Sequence, residues 1–365
     1  MKRLRILTMV SVLLAIIVFV VKNWAPSTIP AGQGLVLDKA WLVSNPHALT
    51  PKQDLRPADQ TFLTYPEWFL VFSPAEQADY FQAHTSTTFP YLKHVDQMWK
   101  SYDIMYHQVK GNFPFNGGYH AMIMVIAGST TVEYGIKSFY ETIIGRVTNT
   151  SPGQDMTDED KFNATYEQSY VDFIKDLPWY EYDFNHQLKT LWTRTPLWGS
   201  HPLRKLERRY YLTTELMVKS GYGWLIGLGT KSAYGTASLK TAVVFDNLSL
   251  NLTALNGDTN ITPLPNGRLI GQFPRYARFT QAIQSLAIRN INFYEVAGNN
   301  SAIMLTVLTD KPLPACKNSR ILFTQPIFTK PGLNRIALAT PVRSLGALVD
   351  TLFEHKVGIE HIYDY

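Results

Sequence analysis

Two carboxylates and two lysines recur at matching places in two similar stretches of the chain. Thr130–Gly145 reads TTVEYGIKSFYETIIG and Thr213–Gly227 reads TTELMVKSGYGWLIG. At an offset of 82 residues seven positions are identical: Thr131/Thr213, Glu133/Glu215, Lys137/Lys219, Ser138/Ser220, Tyr140/Tyr222, Ile144/Ile226 and Gly145/Gly227. Glu133 and Glu215 are the candidate catalytic pair, because two carboxylates across a cleft can do acid/base chemistry on a glycoside. Lys137 and Lys219 beside them would hold both ionised, which suits a base or nucleophile and disfavours a general acid. The same residues with the two tyrosines, namely Glu133, Lys137, Tyr140, Glu215, Lys219 and Tyr222, form the candidate ligand-binding set.

These side chains need helices to position them. At about 100° per residue, Glu133, Lys137, Tyr140 and Ile144 fall within an arc of roughly 60°. Thr131, Ser138 and Gly145 make a second stripe at heptad spacing, and the second stretch repeats both. Small residues at such spacing let two helix backbones approach closely. The expectation is a duplicated helix whose copies pack along Thr, Ser and Gly, leaving the charged and aromatic stripe to line a shared cleft. The paired ions would lock the helices together.

Other chemistries find little support. No Gly-rich phosphate loop, nucleophile elbow, HExxH or paired-Cys zinc pattern occurs, so no cofactor and no metal are expected. The acidic run Asp155, Asp158, Glu159, Asp160 lacks the central Gly and spacing of a calcium loop, and reads instead as negative charge at a helix start. The single cysteine, Cys316, excludes an intrachain disulfide framework. His120, His355 and His361 read as packed or surface histidines. The aromatic clusters Tyr65–Trp68 and Trp179–Phe184 read as core, with sugar stacking or a membrane interface as the alternative.

The chain opens with MKRLR, followed by the uncharged apolar run Ile6–Val21. That run is close to the length of a membrane span, and no small-residue cleavage site follows it. We expect a signal-anchor over 1–24, a cytoplasmic N-terminus, and a single-pass protein of the cell membrane with its bulk extracytoplasmic, periplasmic in a Gram-negative cell. Residues 25–58, rich in Pro, read as an extended linker with a short strand at Gly34–Leu37.

A helical domain is expected over 59–235, with internal repeats 61–149 and 157–232. Each repeat reads helix, Pro-aromatic break, helix, turn, long helix. Ser73-Pro74 with Glu76 looks like a helix start, as does Thr157 with Asp160. The second long helix, Lys205 to Ser232, holds four glycines between Gly221 and Gly229, and close packing or lipid must compensate for them. From 236 to 365 the pattern becomes strands and two helices. ARFTQAIQSLAIRNINFYEVAG and RSLGALVDTLFEHKVGIEHIYDY match at an offset of 66, with Phe279/Leu345, Ile283/Val349, Leu286/Leu352 and Ala287/Phe353 coinciding. The fold class is therefore α+β: an anchor helix, a mainly helical domain with internal duplication, and a C-terminal ferredoxin-like sandwich.

The net charge of +5 is spread along the chain apart from the run Arg204–Arg209, which argues against nucleic acid as a partner. The leading reading is a membrane-anchored extracytoplasmic protein that binds a ligand, a lipid, a glycan or a protein partner, with no reaction assigned. The alternative is a cell-envelope hydrolase, glycosidase-like, using Glu133 and Glu215.

Overall fold

The structure is a computed structural model that describes residues 37, 39–42, 48–56, 62–149, 156–233, 239–246 and 260–364. The expected anchor over 1–24 and the strand at Gly34–Leu37 except its last residue lie outside these residues. Among the described residues no helix is long and apolar enough to cross a membrane.

Among the described residues eight helices of ten residues or more and eight strands follow one another. They are α1 (Thr64–Phe81), α2 (Tyr91–Val109), α3 (Gly117–Tyr140), α4 (Asp158–Ile174), α5 (Phe184–Arg194) and α6 (Pro202–Ala233). Then come β1 (Lys240–Phe245), β2 (Asn260–Pro263), β3 (Leu269–Pro274), α7 (Ala277–Ala287), β4 (Phe293–Val296) and β5 (Ala302–Thr309). The chain ends with β6 (Arg320–Pro326), β7 (Asn334–Pro341), α8 (Leu345–Glu354) and β8 (Gly358–Ile362). A π-helical turn, Glu141–Gly145, and the turn Arg146–Thr148 prolong α3.

Two compact units are formed. Among the described residues the helical unit takes 68–96, 125–149 and 156–233, and the sheet unit takes 37–67, 97–124 and 239–364. The division is not the single cut at 235/236 that the sequence suggests, and it falls inside α1, α2 and α3.

In the sheet unit each helix follows three strands and precedes a fourth. The two antiparallel sheets have the same order, β2-β3-β1-β4 and β6-β7-β5-β8. Registers repeat as well: Val243 faces Val296 as Leu305 faces Ile362, and both edges carry a bulge one step further on. The α+β class stands, but the ferredoxin-like arrangement does not. A βαββαβ chain would give one sheet with two helices, whereas the third strand before each helix gives each repeat a sheet of its own. One core joins Phe279, Ile283 and Leu286 of α7 with Leu345, Val349 and Leu352 of α8. The offset of 66 fails at one point: Ala287 is buried while Phe353 is 59% exposed.

The outer faces of the sheets recruit earlier segments. Buried Glu295 in β4 accepts bonds from the backbone N–H groups of Leu49 and Thr50, each 2.8 Å away. Arg56 pairs with Asp364 at 3.1 Å. Residues 48–56 are thus fixed to the sheet rather than forming an extended linker, because a buried carboxylate must find donors. Tyr65 donates to Gln325 at 3.0 Å and packs edge-on against Phe323.

Helix α1 starts at Thr64, nine residues before the expected cap, Ser73. Ser73 and Pro74 lie inside it, and Glu76 faces His94 at 3.6 Å instead of capping. No position from Phe62 to Ala78 is exposed, Leu70 and Val71 off the main stripe included, so the first turns show no polar side against which to read a helix. Helix α4 does begin with the expected capping box of Thr157 and Asp160.

Gly346 marks a close approach: a Cβ there would lie 2.7 Å from the carbonyl oxygen of Ile291. Gly346→Ala is expected to destabilise the protein by about 1–3 kcal/mol, measured by urea unfolding, because backbone rather than a flexible side chain must move.

Candidate functional site

Helices α3 and α6 run antiparallel along one seam. Ser129 meets Tyr222 at 2.9 Å, Glu133 meets Lys219 at 3.4 Å, Lys137 meets Glu215 at 2.9 Å, and the rings of Tyr140 and Tyr211 are 4.8 Å apart. The offset of 82 exchanges Lys137–Glu215 with Lys219–Glu133, so the seam has a local two-fold pattern.

All six candidate ligand-binding residues lie on this seam, where Lys137 stands between Glu133 and Glu215. Lys137, 4% exposed, holds Glu133 at 3.1 Å and Glu215 at 2.9 Å, with Glu167 of α4 at 3.8 Å. Lys219 also takes Glu215 at 2.9 Å and donates to the hydroxyl of Tyr166 at 3.2 Å. Tyr140 is half-buried, and the Tyr222 ring stacks on Trp179 at 5.4 Å.

The small-residue stripes do not make this contact. On α6 they receive the segment just before the helix. Ser220 donates to Asn185 at 3.0 Å, Thr213 accepts from the Trp192 indole at 3.1 Å, and Cβ atoms at Gly223 and Gly227 would stand 3.5 Å from Tyr180. On α3, Thr131 bonds the Ala127 carbonyl of its own helix, and Gly145 faces Glu141 and Thr87. The expected packing is reversed because four opposed charges neutralise one another only if they share the seam.

The electrostatics follow from this geometry. Burial alone would raise the Glu215 carboxyl, but Lys137 and Lys219 overturn that and bring it down to about 2. Burial likewise opposes ionisation of Glu133, and Lys219 and Lys137 outweigh it, so its pKa is lowered. At Glu167 burial wins over the same two lysines, and its pKa is raised. Such divergence is the pattern of an acid/base pair, yet Glu167 and Lys137 are sealed from solvent.

A second charge cluster continues along α6, and the sequence reading missed it. Arg208 is fully buried and donates to Glu141 at 2.6 Å, to Ser86 at 2.7 Å and to neighbouring Glu207. Arg204 pairs with Asp160 at 2.8 Å, Lys205 with Asp158 at 2.7 Å and Glu159 at 3.0 Å, and Arg209 with Glu159 at 2.5 Å. The basic run Arg204–Arg209 is therefore consumed internally, Arg204, Lys205 and Arg209 by the acidic start of α4 and Arg208 by Glu141 and Glu207. The signal was present in the sequence as an acidic run and a basic run of similar length, read separately.

What remains outside is apolar. The exposed positions of α6 from Leu203 to Trp224 are Leu203, Leu206, Tyr210, Thr214, Met217, Val218, Gly221 and Trp224, none of them charged. The charged residues of that stretch, from Arg204 to Lys219, all face inward or are half-buried. On α3 the exposed set after Lys137 is Phe139, Thr142, Ile143, Ile144, Arg146 and Val147. Ile136 and Val218, equivalent under the offset, are 62% and 63% exposed.

Among the described residues no group of three or more His, Cys, Asp and Glu is disposed to hold a metal ion. His361 is buried, His355 is exposed on α8, and His120 meets the Tyr102 hydroxyl at 2.9 Å. Compared with protein-family models, curated proteins and solved structures, the chain matches none of them.

Proposed function

We propose that this chain is a membrane-anchored, extracytoplasmic binding protein whose α3–α6 face lies against lipid. The observation that carries the reading is the inverted polarity of α6. A helix facing water keeps its charges outside and its apolar stripe inside. Here the charges are inside and paired, while an uncharged face about 32 Å long, from Leu203 to Trp224, is outside. Tyr210 and Trp224 on that face have the amphipathic rings favoured at the headgroup level. The apolar run Ile6–Val21 behind the basic residues of MKRLR would hold the chain at the same bilayer. The helices lie on the membrane rather than across it, with the ion clusters on the side away from lipid.

The hydrolase alternative requires open space between Glu133 and Glu215. Lys137 stands there at 3.1 and 2.9 Å, and both carboxyls have lowered pKa values, so neither offers a proton at neutral pH. That arrangement favours a lock over an active site.

The test is quenching of a fluorophore on the full chain in liposomes, attached at Met217→Cys in a Cys316→Ser background. Lipid-borne nitroxides should quench it strongly and aqueous iodide weakly, with the reverse order for a label at Asp172→Cys, an exposed site on α4. Strong iodide quenching at 217 would sink the proposal. So would cross-linking of 217 between copies, which would give the face to a second chain.

A further inference from the structure

A cavity at the end of α3 opens beside the apolar face, and its accessible wall is basic. It has a volume of about 230 Å³. Lys93, in the first turn of α2, lines it together with Ser138, Glu141, Thr142 and Arg146, along α3 and the turns that prolong it. All of these belong to the helical unit. Lys93, Thr142 and Arg146 are exposed and Ser138 is half-buried. Glu141 adds no open negative charge, because it is 2% exposed and paired with Arg208 at 2.6 Å. Among the described residues Arg146 makes no ion pair, in contrast to Arg204, Arg208 and Arg209. The Thr142 hydroxyl is committed to the Ser138 carbonyl at 2.7 Å. The Ser138 hydroxyl makes no hydrogen bond among the described residues, whereas its counterpart Ser220 donates to Asn185 at 3.0 Å. Two cations and one open hydroxyl thus share a single mouth.

We propose that this cavity holds the phosphate of an anionic phospholipid. The planar Arg146 fork matches two phosphate oxygens, the Lys93 ammonium supplies a point charge, and the Ser138 O–H donates to a further oxygen. A choline headgroup would bring a third cation beside these two, and their repulsion selects against it. The partner is a lipid rather than a free phosphate because apolar side chains flank both cations. Leu92, next to Lys93, is 40% exposed, and Val147, next to Arg146, is 66% exposed. Phe139 and Ile143 continue from Val147 at four-residue spacing, each one position after Ser138 and Thr142. Residues four apart share one side of a helix, so the phosphate stripe and the apolar stripe run side by side. Acyl chains follow the second while the phosphate stays on the first. The assignment rests on the reading that the α3–α6 face lies against lipid, and adds a headgroup preference to it.

The experiment is native mass spectrometry of the full chain released from nanodiscs of equal phosphatidylcholine and phosphatidylglycerol, their acyl chains differing in mass. Retention of one phosphatidylglycerol in preference to phosphatidylcholine is expected. Arg146→Gln should lower that retention about fivefold, the share of one cation at an anionic headgroup. Ser138→Ala changes no charge and should also lower it about fivefold, the worth of one hydrogen bond. Arg194→Gln, at an exposed arginine of α5 outside the cavity, should leave it unchanged. Excess inorganic phosphate should not displace the lipid. Equal retention of the two lipids, an equal loss in Arg194→Gln, no loss in Ser138→Ala, or replacement of lipid by inorganic phosphate would each overturn the site. Quenching at Met217→Cys keeps the two readings apart. Lipid contact at 217 without a phosphatidylglycerol preference sinks this site alone, whereas strong iodide quenching at 217 removes the face on which it rests.

Discussion

Arg208→Met is expected to cost about 3–5 kcal/mol, the largest loss of any single substitution in the helical unit. The guanidinium is fully buried and serves Glu141, Glu207 and Ser86 together. It also lies over the rings of Tyr211 at 4.7 Å and Tyr140 at 5.6 Å. Removing it strands the buried Glu141 carboxylate and leaves Glu207 with Arg204 at 3.2 Å, and the long apolar side chain that replaces it cannot donate to either. Against a usual total of 5–15 kcal/mol, this would unfold much of the population. Arg208→Lys should recover only part of the loss, since one ammonium cannot reproduce the planar fork. Urea unfolding of the detergent-solubilised chain measures both. A loss below about 1 kcal/mol in Arg208→Met would mean that the charges are solvated and the cluster is not closed.

The second large effect is on pH dependence, in the sheet unit. His361 on β8 is 2% exposed, and burial, aided by Arg275 and opposed by Asp364, pushes its imidazole down to about 3. The unfolded chain binds a proton there below about 6.5, whereas the folded chain does so only near 3. Between these values the unfolded state holds more protons, so stability falls as pH falls. The slope approaches about 1.4 kcal/mol per pH unit in that window. From pH 7 to 5 the wild-type chain should lose roughly 2 kcal/mol through this group alone. His361→Gln should flatten that interval, although it disturbs the Thr280 contact at 3.2 Å and the Tyr363 ring packing. Carboxylates with lowered pKa values, Glu215 and Asp364, add their losses only further down, below the ordinary carboxylate range. Parallel slopes for the two proteins between pH 7 and 5 would contradict the buried neutral imidazole.

Where the sequence was readable, the information was local. The start of α4 was legible because Thr157 and Asp160 satisfy each other within one turn. The expected bounds of α6, Lys205 to Ser232, came within three residues of Pro202–Ala233. Helix α7 was legible because its apolar residues have one side, and the recurrence at α8 followed. The start of α1 was hidden because no position from Phe62 to Ala78 is exposed, so its apolar residues do not mark one side. The seam was half legible. Periodicity put Glu133, Lys137 and Tyr140 on one stripe, but it cannot say which stripe faces inward. The ordinary rule, with charges toward solvent, gives the wrong answer when the outer face is apolar and the charges are paired across helices. Glu167, Glu141 and Arg208 were missed because Lys137 lies 30 residues from Glu167, Glu141 lies 67 from Arg208 and Ser86 lies 122 from Arg208, separations that no window joins.

The most direct measurement is a double-mutant cycle on Lys137→Met and Glu215→Leu, read by urea unfolding. A lock predicts that each single change costs several kcal/mol, because it strands a buried charge. The double change should then recover a good part of that loss, giving a coupling above about 2 kcal/mol. Additive costs near zero, with both side chains free to respond to added ligand, would mean that the stripe faces an open cleft after all.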